Sequence, residues 1–172
     1  MKKILALLMA AMMVLSAVSA LAAGSPSPKP IVVNPVVEEL EEAVVTVLED
    51  QSAAEALAAE MSAADYDAAV LKQETQDAIT ALLPENVDIK ELVASELVAL
   101  AAIKSDKPVD VTFGFTTEYT ADQTVINVLK VEDTEIILDN TVNDDGTLTV
   151  AFTVDALAAM KDNTGVMIVL SK

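Results

Sequence analysis

The residues whose types and spacing come nearest to a chemical site lie in Asp139-Asn140-Thr141-Val142-Asn143-Asp144-Asp145-Gly146. Oxygen-bearing side chains ahead of a glycine are the raw material of an EF-hand-type calcium loop. Such a loop needs ligands at alternating positions and a bidentate Glu at the twelfth. Counting back from Gly146, Asn143 and Asp145 stand acceptably, but Thr141 comes first and Phe152 occupies the place of the Glu. The pattern fails. Asn-Asp-Asp-Gly is also a hairpin signal, because Asn, Asp and Gly tolerate positive φ, and the turn is the reading that stands. A weak calcium site elsewhere among the 28 Asp and Glu stays open, but no spacing locates it.

Catalytic chemistry is narrowed by what the chain omits. It has no His and no Cys, so Ser-His-Asp and Cys-His machinery and zinc sites built on those ligands are excluded. A carboxylate pair, a Ser-Lys arrangement or an assisted Tyr remains. Two carboxylates can hydrolyse glycosides, but sugar grooves stack rings on aromatics. Here there is no Trp, and the aromatic residues are Tyr66, Tyr119, Phe113, Phe115 and Phe152. The three Phe alternate inward on expected strands and read as core. Ser105-Asp106-Lys107 lies in an expected turn and lacks helical Ser-x-x-Lys spacing. Gly24, Gly114, Gly146 and Gly165 are too far apart for a phosphate loop. The expectation is a non-enzyme, with no catalytic, cofactor-binding or metal residue and no cofactor. Glu38, Glu39, Glu41, Glu42, Glu49 and Asp50 could meet a basic partner, although a solvated helix face explains them equally well.

Charge sets the classes of partner. The net charge is −18, and every basic residue is a Lys. Phosphate backbones and anionic lipid surfaces are held by Lys and Arg, so nucleic acid and acidic membranes are excluded as partners. A protein partner stays open, and the oligomeric state is not readable.

The N-terminus carries the layout of a secretory signal peptide. Lys2 and Lys3 precede an apolar run from Ile4 to Val18 interrupted by Ser16, and Ser19-Ala20-Leu21-Ala22-Ala23 supplies the small residues. Ala20 and Ala22 fit a cut after Ala22, and Val18 and Ala20 allow one after Ala20. Residues 1–22 are therefore expected to be removed, with no membrane segment left after cleavage. No Cys is present for lipid attachment or disulfides. Leu83-Pro84-Glu85-Asn86-Val87 resembles a sortase signal but lacks its Thr-Gly pair. The expected location is extracellular, either in the medium or held non-covalently on the cell envelope.

Four parts follow: signal peptide 1–22, a Pro/Ser-rich linker 23–35, a helical region 36–93 and a β module 94–172. Asn34-Pro35 suits a helix start, and Val36, Val37, Leu40, Ala43, Val44, Val47 and Leu48 recur at helical spacing. Ser52 with Glu55, Ser62 with Asp65, and Asp88 with Glu91 resemble capping boxes. Glu74 to Leu83 places Ile79, Leu82 and Leu83 on one side and stops at Pro84. From Glu96 the period shortens. Val109, Val111, Phe113 and Phe115 alternate with polar residues, as do Leu148, Val150, Phe152 and Val154. Thr124 to Val131, Glu135 to Val142 and Val166 to Leu170 are further strands. Leu97 to Ile103 fits helix or strand, and the turn at Ser105–Pro108 favours strand. Asp155 to Lys161 reads as a helical turn or two ending near Asn163 and Gly165, both suited to a left-handed cap. The fold class expected is α+β, with short acidic helices followed by an antiparallel β-sheet or sandwich of about five or six strands.

Val109-Asp-Val-Thr-Phe-Gly-Phe-Thr-Thr-Glu-Tyr119, Gln123-Thr-Val-Ile-Asn-Val-Leu129 and Val142-Asn-Asp-Asp-Gly-Thr-Leu-Thr-Val-Ala-Phe152 together resemble a β module of small uncharacterised secreted proteins of gut Firmicutes. Helix-rich segments often precede that module. Thr134-Glu135 stands where a Trp is common in it. The resemblance implies a secreted module and brings no activity, cofactor or site residue. The expected function is a secreted, non-catalytic module acting by protein contact. A calcium-responsive surface protein and a carboxylate-based glycan hydrolase are the alternatives.

Overall fold

The computed structural model describes residues 31–38, 44–61 and 67–172. In chain order the elements are β1 (Ile31–Val32), β2 (Val36–Val37), β3 (Val45–Val47), α1 (Ser52–Met61), α2 (Gln73–Leu82), β4 (Val93–Ala102), β5 (Val109–Gly114), β6 (Val125–Val131), β7 (Thr134–Leu138), β8 (Asn140–Val142), β9 (Leu148–Phe152), α3 (Val154–Met160) and β10 (Gly165–Ser171), with single 3-10 turns at Asp67–Val70 and Ile89–Glu91. The protein is α+β with antiparallel sheets. The first sheet runs β1-β4-β10-β6-β7, with β3 also on β4, and the second runs β2-β5-β9-β8. One pair departs from the antiparallel rule: β1 lies parallel to β4, with Ile31 opposite Glu96 and Val32 opposite Leu97.

The first sheet is apolar on both faces because its central strands must be. On β4, Leu97 and Ala99 face one cluster while Val98 and Leu100 face another, and all four are fully buried. Val98 and Leu100 meet Val111, Phe113, Val150 and Phe152 of the second sheet, with α3 closing that space through Ala156, Leu157 and Met160. Leu97 and Ala99 meet Ala54, Leu57 and Met61 of α1 and Ile79 of α2. Complete burial of a Leu or Phe contributes about 1.5–3 kcal/mol. Three buried residues on α1, one of them Ala, are too few to hold that helix without the sheet beneath it.

Among the described residues the edge strands are two to five residues long, and the chain crosses between sheets at both sides. Residues 31–37 leave β1 in the first sheet and enter β2 in the second. Residues 134–142 do the same from β7 to β8. At the second corner Ala151 N–H donates to Asp139 O (2.9 Å), and Asn140 Nδ2 donates to Val125 O (3.1 Å). On the outer side of β4, β1 and β3 leave a gap at Ala99. The Gln51 side chain fills it: Ala99 N–H donates to its Oε1 (2.8 Å), and its Nε2 donates back to Ala99 O (3.4 Å).

Where a helix was expected over Val36–Leu48, the described residues form strands instead. Val36–Val37 pairs with Gly114 and Phe113, and Val45–Val47 pairs with Ala102, Ala101 and Leu100. These β-branched residues fit helical spacing on paper, but Val and Thr suit a pleated surface better. The edges of β4 and β5 offered that surface. Part of the expected linker is strand too, at β1. Glu39, Glu41, Glu42, Tyr66, the Ser62/Asp65 cap and the signal peptide lie outside the described residues. Ser52 does not cap α1. It is the first helical residue, its N–H donates to the Asp50 carboxylate (2.9 Å), and Glu55 N–H donates to Gln51 O (3.0 Å). The Asp88/Glu91 capping box is present on the 3-10 turn. Leu82, expected on the apolar side of α2, is 61% exposed.

The left-handed cap expected at Asn163 or Gly165 is also absent. Among the described residues, positive φ is found at Gly146 (83°) and Glu132 (49°). Gly165 serves a different need. A Cβ there would sit 2.9 Å from Leu129 Cδ1 and from Met160 Cγ and Sδ, so the absent side chain lets β10 pass under α3.

Candidate functional site

The outward-pointing residues of the second sheet form a grid that the strand registers fix. Asp110, Ala151 and Asp139 occupy one cross-strand row. The next holds Glu38, Thr112, Thr149 and Thr141, and the third holds Val36, Gly114, Thr147 and Asn143. The inward partners Val111, Phe113, Leu148, Val150 and Phe152 are buried, whereas Val36 is 77% exposed. Hydrogen bonds order the hydroxyls. Thr112 Oγ1 and Thr149 Oγ1 are 2.8 Å apart, and Asn143 Nδ2 donates to Thr147 Oγ1 (2.9 Å) and Thr149 Oγ1 (3.0 Å). The result is a face of short side chains.

Asp110 and Asp139 flank Ala151 and line a depression of about 150 Å3 with Asn140, Thr141 and Thr149. The Asp139–Gly146 segment is thus a strand start and a hairpin. Gly146 takes the positive φ that the sequence demanded, Gly146 N–H donates to Asn143 O (3.0 Å), and Asp145 accepts from Thr147 Oγ1 (2.7 Å) and N–H (3.1 Å). Those two bonds, the hydroxyl's first, hold the Asp145 carboxyl below its usual range.

Other singled-out residues are scattered. Glu49, Asp50 and Glu55 line a separate hollow of about 430 Å3 with Asn34. Asp50 is already engaged by Ser52, whose backbone N–H holds its pKa down. Ser105 Oγ accepts from Lys107 N–H (3.2 Å) and donates to Lys107 O (2.9 Å), which makes a turn. Among the described residues no group of three or more acidic side chains is arranged to hold a metal ion.

A second polar cluster sits inside the sandwich. Glu96 and Asn127 are both 0% exposed and flank Val169 in one cross-strand row. Between Val169 and Leu170 the register against β4 slips, leaving Ser95 as an extra residue. A bulge breaks the in–out alternation, so Ser95 and Glu96 both reach the connection between β5 and β6. Ser95 Oγ donates to Val169 O (3.1 Å) and so accepts from Tyr119 Oη (2.8 Å). Glu96 Oε1 accepts from Thr117 Oγ1 (2.6 Å) and N–H (3.2 Å). Glu96 Oε2 and both polar atoms of Asn127 have no hydrogen-bond partner. Burial pushes the Glu96 carboxyl up against the opposing pull of Thr117, and burial likewise raises the Tyr119 phenol. The inward alternation of Val125, Asn127, Leu129 and Val131 could have exposed Asn127 in the sequence. Glu96 was hidden by starting the strand at Leu97.

The chain matches no protein-family model, no curated protein and no solved structure. Among the described residues no helix is long and apolar enough to cross a membrane.

Proposed function

We propose that the protein is a secreted, non-catalytic module that acts by contact, in the medium or held non-covalently on the cell envelope, and that the outer face of the second sheet is its contact surface. The support for export is the Lys2-Lys3, apolar, Ala-Leu-Ala layout of the N-terminus. The support for contact through a face is the grid itself. Adding a strand at a sheet edge needs a length of unpaired backbone, and among the described residues the edge strands are only two to five residues long. The face offers short side chains in register.

The partner it fits is a basic polypeptide segment. The strands β2, β5, β8 and β9 and the β8–β9 turn, with the flanking Glu38 and Asp139, carry the further acids Asp110, Asp144 and Asp145 and not one Lys. A Lys or Arg head group can rest over Ala151 between Asp110 and Asp139. Complementary charge of this kind governs encounter and specificity more than raw affinity.

The test is binding of a fluorescent lysine-rich peptide, read by anisotropy, to the mature chain, to D110N/D139N and to a control with two equally exposed acids removed elsewhere, E60Q/E85Q. The expected result is a loss of roughly tenfold or more in affinity for the first variant and little change for the control. Equal losses would mean that only net charge matters and would overturn the face. A millimolar calcium signal abolished in D110N/D139N would replace the peptide with the cation.

A further inference from the structure

The connection Phe115–Thr124 joins the two sheets; beside the backbone pair of Thr124 with Lys172, two of its residues are held by β4 side chains. Thr117 is held by Glu96, and Tyr119 is held by Ser95 through its hydroxyl. Tyr119 also packs edge-on against Phe115, with ring centroids 6.1 Å apart. On its other side this connection holds the end of the proposed contact face. Tyr119 N–H donates to Gly146 O (3.1 Å), and Glu118 lies against Gly146, where an added Cβ would be 3.1 Å from Glu118 Cβ. Gly146 closes the turn that carries Asn143 and Thr147. One carboxyl therefore stands behind a continuous path from β4 to the rim of that face.

We propose that Glu96 is a protonation-controlled latch: neutral, it clamps the Phe115–Thr124 connection onto β4, and ionised, it drives that connection outward and loosens the β8–β9 hairpin at the end of the contact face. The geometry supplies both halves. Neutral Glu96 keeps Oε1 as acceptor for Thr117. Ionised Glu96 keeps the Thr117 bonds but leaves a buried, charged Oε2 with no donor, a state that costs much more than an unpaired neutral group. Opening the connection gives that oxygen water.

Among the described residues, its cross-strand and hydrogen-bonded neighbours Val169, Asn127 and Thr117 carry no charge. Glu118, the charged residue of the same connection, is exposed and lies against Gly146. Tyr119 is the titratable group beside it, and burial raises its phenol, which stays neutral. The sign follows from the raised carboxyl. Its stabilising contribution is complete below the unfolded carboxyl's pKa and is lost as pH rises through the higher folded value. The latch is closed in acid and opens toward neutral and alkaline pH.

The latch stands without the proposed contact function; only its consequence for binding rests on that reading. The experiment is amide hydrogen exchange by NMR on the full mature chain across weakly acidic to alkaline pH, corrected for intrinsic exchange rates, with no partner present. Protection at Thr117 and Tyr119 should fall about tenfold or more as the Glu96 carboxyl carbon titrates, while Val111 and Val150 in the β5–β9 ladder hold steady. E96Q, which keeps the acceptor for Thr117, should hold protection constant over the same range. The same pH-dependence in E96Q, or an equal loss at all amides, overturns the latch. If E96Q does not fold, the wild-type comparison decides: exchange at Thr117 that does not follow the carboxyl-carbon titration of Glu96 overturns it as well.

Discussion

Asn127→Val should make this protein more stable. Asn127 is fully buried between Val125 and Leu129 on the inner face of β6, opposite Leu138 of β7, and neither its Oδ1 nor its Nδ2 has a partner. An unpaired buried polar group costs about 1–3 kcal/mol, and Asn127 carries two in one amide. Valine removes both and adds a β-branched side chain to a central strand. The net expected gain is about 2 kcal/mol, which for a chain of this size raises Tm by roughly 4–8 °C. Asn140→Val is the control for strand propensity. It gains the same β-branched carbon but gives up the bond from Nδ2 to Val125 O, so it should lose about 1 kcal/mol. Urea denaturation of the three proteins at one pH, with unchanged m-values, reads both differences. A loss in Asn127→Val as large as in Asn140→Val would refute the reasoning, since it would show that Asn127 makes a polar contact of equal worth. A cycle with E96Q would then locate it: a coupling above about 0.5 kcal/mol means that the two amide-length side chains communicate across Val169.

Two further substitutions test backbone demands. Gly165→Ala places a Cβ at 2.9 Å from Leu129 and Met160 and should cost about 1–3 kcal/mol by overpacking, seen as a lower urea midpoint; no change would mean that α3 shifts freely over β10. Glu132 holds φ 49° in the two-residue turn between β6 and β7, a region that costs an ordinary L-residue roughly 1–2 kcal/mol. Glu132→Asn should recover about 0.5–1 kcal/mol of that, read as a rise in Tm.

The strands β5 and β9 were legible because each alternates buried and outward residues, and the fully buried β10 was legible as a short apolar run between turn residues. Val109–Phe115 and Leu148–Val154 fell within a residue or two of β5 and β9. The β8–β9 turn was legible because Gly146 had to supply positive φ. The Val36–Leu48 region misled because its valines satisfy a helical stripe and a pleated strand alike, and the choice was made by strands β4 and β5, some fifty to eighty residues downstream. The contact face was half legible. The outward residues follow from alternation, but that Asp110 and Asp139 share a row depends on two registers set by separate turns. Glu96 was illegible for a sharper reason. The bulge at Ser95 breaks the alternation of the strand, so a charged residue buried in the core looked like the polar edge of a shorter strand.

The position of that residue is not neutral with respect to the fold's closure. A sandwich whose edge strands turn from sheet to sheet protects its edges, and each crossing is held by side-chain bonds as well as backbone ones. At 134–142 the side-chain tie is Asn140 to Val125 O, a neutral amide indifferent to pH. In the β5–β6 connection the side-chain ties are Ser95 and Glu96, and one of them titrates. Glutamine at position 96 would accept the same two bonds from Thr117 without a charge to bury. The carboxyl therefore adds nothing to holding the connection that an amide would not supply. What it adds is dependence on pH, placed at the crossing that supports the end of the open face.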